Sequence, residues 1–294
     1  MNILRFSNNM KPFISVKEAF ELFENSTDVL FVDTRYDFNQ EAEFSVNNYN
    51  QNHIPGAIFI NIHEELSGPQ TPATGRHPLP SMKNFKELLE KHFITKDLRI
   101  ICYDDNRGGY SGRLWFMLYT VGFDSVQILN GGLGSWLKQD YPTTSEPTVR
   151  TGKKIILDLP TDWSEGKIRL VDFEQVTEMV GNGFTGLIDA RSSNRFHGEK
   201  SSLDTVGGHI PGASNRWWEA NITEEGTLRD LNELKNEFNL LFINNKPEES
   251  IMYCGSGVTA CFNLALMKEL GFKESGLYIG SFSDWSAHSD NVET

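Results

Sequence analysis

The chain is short of thiols, of positive charge and of long apolar runs, and each shortage removes a class of function. Its 294 residues include three cysteines, Cys102, Cys254 and Cys261. The number is odd and the spacing matches neither a disulfide framework nor a zinc site, so no metal is expected. In a reducing compartment such thiols serve packing or chemistry. Lys and Arg total 27 against 40 Asp and Glu, a net charge of −13. That surface repels phosphate backbones and anionic lipid, which argues against nucleic-acid and membrane partners. An anionic substrate would need positive charge gathered locally. No stretch approaches the roughly 20 apolar residues of a membrane span. Residues 1–12 have no apolar core of signal-peptide length. The expected location is cytoplasmic.

What is present is a repeat. Phe31-Val32-Asp33-Thr34-Arg35 recurs as Leu187-Ile188-Asp189-Ala190-Arg191. The turn His53-Ile54-Pro55-Gly56-Ala57 recurs as His209-Ile210-Pro211-Gly212-Ala213. The apolar runs Ile100-Ile101-Cys102-Tyr103 and Ile251-Met252-Tyr253 each lead into a Gly-rich loop and a helical stretch, and each half closes on a tryptophan, Trp136 and Trp285. The offset between halves is 156 residues at the histidine (53 to 209) and 149 at the tryptophan (136 to 285). Helical patterns at 17–24, 85–92 and 173–180 alternate with the strand-like runs. This predicts an α/β chain with two tandem domains, each a parallel sheet carrying helices on both faces. Ligands in such sheets bind beyond the carboxyl ends of the strands. Residues 139–153, with Pro142 and Pro147 among Thr, Ser and Glu, read as a linker between domains at 10–140 and 154–288.

The halves differ where chemistry is expected. Asp104 stands opposite Cys254, and only the second loop reads Cys254-Gly255-Ser256-Gly257-Val258-Thr259-Ala260 before a helix predicted at 258–270. A cysteine at a strand end, followed by glycines and a helix start, meets a ring of backbone N–H groups that stabilises an anion. A thiolate is thereby made available at neutral pH. A merely packed cysteine needs no flanking glycines.

With these motifs in this order, from about residue 14 to 285, the chain resembles the tandem rhodanese family, and its loop is similar to that of the 3-mercaptopyruvate sulfurtransferases. The resemblance implies a catalytic carboxyl-terminal domain and an amino-terminal domain that lost its cysteine. It also implies double displacement without a cofactor: Cys254 takes sulfur from a small anionic donor as a persulfide, and cyanide, a thiol or reduced thioredoxin removes it. Gly255, Ser256, Gly257, Val258 and Thr259 would hold the persulfide anion through their amides. Arg195 matches the family's substrate-binding arginine. Arg76 and His77 would face the active-site cleft from the amino-terminal domain. His77 corresponds to a histidine held to work with a loop serine, here Ser256, and an aspartate whose position is taken by His63. A second arginine common in mercaptopyruvate enzymes is missing from residues 198–208, where Lys200 is the only basic group. Asp33, Arg35, Asp189 and Arg191 occur in both halves and read as structural ion pairs, as His53 and His209 read as structural turns.

Thiosulfate-specific members more often carry a basic pair directly after the cysteine. Here that pair is Gly255 and Ser256, with Arg195 remote in sequence. This favours 3-mercaptopyruvate as donor, with thiosulfate:cyanide sulfur transfer or a non-catalytic binding module as alternatives. A phosphatase loop would need arginine where Ala260 stands, and a thioredoxin-like dithiol would need cysteine at Gly257.

Overall fold

A computed structural model of the chain describes residues 10–37, 42–71, 74–105, 107–153, 155–199, 201–204 and 206–294; Lys200 lies outside them. The first half runs β1 (Phe13–Ile14), α1 (Val16–Asn25), β2 (Val29–Asp33), α2 (Ala42–Gln51), β3 (Ile58–Phe59), α3 (Met82–Lys91), β4 (Arg99–Tyr103), α4 (Ser111–Thr120), β5 (Val126–Leu129) and α5 (Gly132–Leu137). The second runs β6 (Leu170–Val171), α6 (Phe173–Gly181), β7 (Leu187–Asp189), α7 (Ser193–Phe196), β8 (Ser214–Asn215), α8 (Leu231–Leu241), β9 (Ile251–Tyr253), α9 (Ala260–Leu270), β10 (Gly276–Tyr278) and α10 (Ser281–His288). Each half makes one five-stranded sheet, ordered β1-β5-β4-β2-β3 and β6-β10-β9-β7-β8, with every pair parallel. Counted within its own half, each sheet has the same order. The duplication is therefore one of topology as well as of motif.

Strands buried on both faces need apolar residues at successive positions rather than alternate ones. β2 and β4 meet that need: Leu30, Val32, Ile100 and Cys102 point to the α3 and α4 side, and Phe31, Ile101 and Tyr103 to the side holding Trp136. Capping boxes start α1 (Ser15 with Glu18) and α6 (Asp172 with Gln175). Such caps satisfy amides that the helices leave unpaired. Twin devices brace each half. Asp33 and Asp189 take bidentate hydrogen bonds from Arg35 and Arg191 at full or nearly full burial. Tyr103 and Tyr253, ending β4 and β9, accept from Ile54 N and Ile210 N in the paired turns. His53 and His209 bond the Tyr49 and Phe196 carbonyls through Nδ1. The linker reading meets one detail: Thr144 pairs with His53, which ties that segment to the first half.

The halves face each other through α4 and α9, and one buried apolar cluster runs from Phe116 and Leu114 to Phe262 and Leu266. Gly112 permits this approach, since a Cβ there would lie 3.0 Å from the Phe262 amide nitrogen. Beyond the carboxyl end of β9, residues of both halves line one cavity. Among the described residues, no helix is long and apolar enough to cross a membrane.

Candidate active site

β9 delivers the chain to Cys254, whose residue is 2% exposed. Its N–H donates to Ser281 Oγ at 3.1 Å. Its carbonyl accepts from Phe282 N at 2.9 Å, and that of Gly255 from Ser283 N at 2.9 Å. In a planar trans peptide the carbonyl and the following N–H point opposite ways. Tying these carbonyls to the start of α10 therefore turns the Gly255 and Ser256 N–H groups away from it. Gly257 adopts φ +73°, and a Cβ there would lie 2.4 Å from the Ile279 carbonyl oxygen. Among the described residues, the N–H groups of 255–259 donate to no protein acceptor. α9 begins at Ala260, two residues later than the predicted 258, after the left-handed Gly257 and a tight turn in which Cys261 N and Phe262 N bond the Val258 and Thr259 carbonyls.

The first half holds the same cradle closed. The fully buried Asp104 carboxylate accepts from Gly108 N (2.8 Å), Tyr110 N (2.9 Å), Ser111 N (2.7 Å) and Ser111 Oγ (2.9 Å). A loop of this shape thus collects amides around one carboxylate, whose burial, only partly offset by these donors, pushes it above the usual carboxylate range. Ser281 shows the converse adaptation. Gly132, 149 residues earlier (281 − 149 = 132), has φ +56°, and Ser281 holds φ +55° despite its Cβ. Its hydroxyl bridges the Tyr278 carbonyl and the Cys254 amide. Backbone strain of this kind persists where surrounding bonds overdetermine it.

One wall above the sulfur is basic. Arg195 Nε meets Asp204 Oδ2 at 2.5 Å, Arg191 Nη1 meets the same oxygen at 3.3 Å, and Arg76 Nη1 lies 3.8 Å from Oδ1. Burial pushes the Asp204 carboxyl up, but Arg195, Arg191 and Arg76 outweigh it and hold the group below the usual carboxylate range. Three guanidiniums set against Asp189 and Asp204 leave one positive charge over. The nearest Nη2 atoms of Arg195 and Arg76 stand 2.8 and 2.9 Å from where a Gly255 Cβ would be. Arg195 Nη2 is buried with no hydrogen-bond partner among the described residues.

His77 Nδ1 lies 3.0 Å from Ser256 Oγ. Burial, followed by the charges of Arg113 and Arg76 and by His63, pushes the imidazole down to about 3, so the ring is neutral. The His63 ring approaches edge-on, centroids 5.8 Å apart, where the resemblance expects an aspartate. A histidine kept neutral in the fold but free to protonate when unfolded costs stability as pH falls from about 6.5 toward 3. Between pH 6.5 and 5 that loss is about 2 kcal/mol. His77→Gln is therefore expected to lose less melting temperature than wild type on acidification from pH 7.5 to 5. Equal losses, measured by calorimetry, would contradict the assignment.

A cavity of about 340 Å³ gathers Cys254, Gly255, Ser256, Val258, Thr259, Arg195, Arg76 and His77. Gly257 alone of the expected site residues lies behind this wall. Arg191 lines the cavity as well as pairing Asp189, and Trp217, Trp218 and Tyr110 line it too. Cys102 and Cys261 are buried and outside it. Not legible in the sequence were Ser281, Trp217 and Arg113, a buried guanidinium behind the loop. For Ser281 a signal existed, since aligning the halves puts it opposite a glycine.

Fold and site together define a duplicated parallel α/β protein whose second half presents a cradled, buried cysteine beneath an arginine cluster. The rhodanese-like domain matches this chain twice, over residues 15–139 and 172–288. The chain belongs to the rhodanese family and is a sulfurtransferase. It is 33% identical over 261 residues to a Pseudomonas aeruginosa protein named "Probable 3-mercaptopyruvate sulfurtransferase", covering 88% of this chain and 89% of that one. It is 32% identical over 241 residues to thiosulfate sulfurtransferase of Gallus gallus, covering 81% and 79%. SseA from Escherichia coli superposes with a TM-score of 0.76 at 28% identity, covering 93% of this chain and 100% of that structure.

Proposed function

We propose that the protein moves sulfur from 3-mercaptopyruvate to a thiophilic acceptor through a persulfide on Cys254. The observation that carries this reading is the ring of unpartnered amides at 255–259, set around a buried cysteine and beneath Arg195 and Arg76. The Cys254 thiolate attacks the donor sulfur. An S–S bond forms, the donor C–S bond breaks, and the electron pair leaves on carbon as the enolate of pyruvate, which takes up a proton. The loop amides hold the negative charge of the persulfide, and Arg195 with Arg76 holds the donor carboxylate. In the second half-reaction a thiol, cyanide or reduced thioredoxin attacks the outer sulfur, and Cys254 departs as thiolate. No cofactor or metal takes part in these steps.

Thiosulfate is the second reading, and one observation favours it. The loop is neutral in sequence, yet two guanidiniums stand beside Gly255, so positive charge is closer to the sulfur than the spacing of Arg195 predicts. What favours mercaptopyruvate is the Ser256–His77 pair. Sulfite leaves thiosulfate as a stable anion and asks for no proton, whereas an enolate does. The Ser256 hydroxyl, held by His77 Nδ1 at 3.0 Å and lining the cavity, can hydrogen-bond that enolate while water supplies the proton. With cyanide as acceptor, kcat/KM for 3-mercaptopyruvate is expected to exceed that for thiosulfate on the same preparation. The reverse order would overturn the donor assignment, and turnover of neither would leave a binding module as the better reading.

A further inference from the structure

Arg113, on α4 of the amino-terminal half, is fully buried and makes no ion pair with a carboxylate among the described residues. Its Nη1 donates to the Gly257 carbonyl at 3.0 Å. Its Nη2 reaches the carbonyls of Leu66 and His77 at 3.1 Å and of Pro78 at 3.3 Å. One planar fork therefore grips three segments at once: the stretch at Leu66, the strip that carries Arg76 and His77, and the loop that carries Cys254. Cys261 adds a contact from Sγ to the Gly257 carbonyl at 3.3 Å.

The consequence for the loop follows from peptide geometry. A Gly257 carbonyl drawn backward onto Arg113 sends the Val258 N–H the other way, toward the cavity that Val258 lines. Gly257 is the residue able to hold the required φ, and Arg113 decides which face of that peptide looks at the sulfur. Burial pushes the guanidinium down; of the two thiols near enough to offset this, Cys261 stays protonated, which leaves Cys254. A cation taken out of water with no carboxylate beside it is a costly feature, and an anion on Cys254 balances it.

We infer that Arg113 is a positioning residue of the sulfur site: it orients the 257–258 peptide so that the Val258 N–H faces Cys254, and its charge favours the anionic form of that cysteine. The catalytic half thus depends on the other half for part of its anion cradle. The effect on turnover rests on the persulfide reading; the effect on thiolate reactivity does not. Among the described residues, the ionisable groups around Cys254 are Arg76, Arg191, Arg195, His77, Glu219 and Tyr110, which line the same cavity, with Cys261 on α9 and Arg113 on α4.

The test uses the full chain and two variants, with iodoacetamide alkylation of Cys254 followed by intact mass against pH and, separately, kcat and KM with 3-mercaptopyruvate. Arg113→Met is expected to raise the pH midpoint of alkylation by about one unit, a tenfold loss of thiolate at neutral pH. Its kcat is expected to fall at least tenfold with KM within twofold. Arg113→Lys keeps the charge but not the fork, so its alkylation midpoint should stay near wild type while kcat remains reduced about fivefold or more. A folded Arg113→Met with the wild-type alkylation profile overturns the charge effect. A folded Arg113→Lys with wild-type kcat overturns the positioning role, and this arm stands even where Arg113→Met does not fold. If the wild-type chain turns over no sulfur donor, the proposed function fails while the alkylation comparison still decides the effect on Cys254.

Discussion

Cys254→Ser is expected to abolish sulfur loading and to lower turnover by at least about 10⁴-fold, the order of loss seen when a covalent nucleophile is removed. Incubated with donor and read by intact mass, wild type should gain one sulfur atom and the variant none. The other two thiols offer no substitute. Burial, reinforced by the charge of Asp104, pushes Cys102 far up, and burial pushes Cys261 up to about 12. Both therefore stay protonated, and neither lines the cavity. Cys102→Ser and Cys261→Ser should still load. The serine hydroxyl at 254 is smaller than the thiol and keeps the backbone bonds to Ser281, Phe282 and Ser283, so folding is retained. Sulfur loading that persists in Cys254→Ser would sink the persulfide assignment.

The duplicated framework was legible because each half repeats the same short-range devices. The Asp-x-Arg pairs join residues two apart, and the histidine turns return to the strand beside them. The cradle was legible too, since a cysteine, two glycines and a helix start lie within a few residues. What stayed hidden is long-range. His77 meets Ser256 across 179 positions and Arg113 meets Gly257 across 144. In the sequence, Arg113 is a lone charge within an apolar helical stretch, and nothing local announces four converging carbonyls. Arg195 looked remote from Cys254, yet the seam between sheets sets it against Gly255 with Arg76. The departure at His63 was visible, and its environment is a ring packed against His77 instead of a carboxylate.

The same arrangement resolves a tension in the composition. A chain of net charge −13 repels small anions at long range, and salt screens that field within roughly 10 Å. The cavity reverses the sign locally, through guanidiniums half or wholly withdrawn from solvent, where they act with less screening. Asp204 keeps three of them together by lying between Arg76, Arg191 and Arg195. It also leaves Arg195 Nη2 without a partner among the described residues, and this is the donor an incoming anion meets.

Arg195→Ala is accordingly the second large effect expected. A hydrogen bond to a charged group is worth about 1.5–3 kcal/mol, which converts to a roughly ten- to hundredfold loss in kcat/KM. The side chain is 21% exposed, so most of that value survives solvent screening. The variant loses the Asp204 ion pair as well, but Arg191 at 3.3 Å and Arg76 at 3.8 Å still face that carboxylate, so no buried charge is orphaned and the fold should hold. Cys254 keeps its amide ring and Arg113, so its alkylation by iodoacetamide should change less than donor turnover does. That contrast separates binding of the donor from activation of the sulfur. Arg195→Lys retains one charge without the planar fork and should recover part of the loss for either donor. Efficiencies unchanged with both 3-mercaptopyruvate and thiosulfate would show that the donor anion lies elsewhere, with Arg76 as the remaining guanidinium beside Gly255.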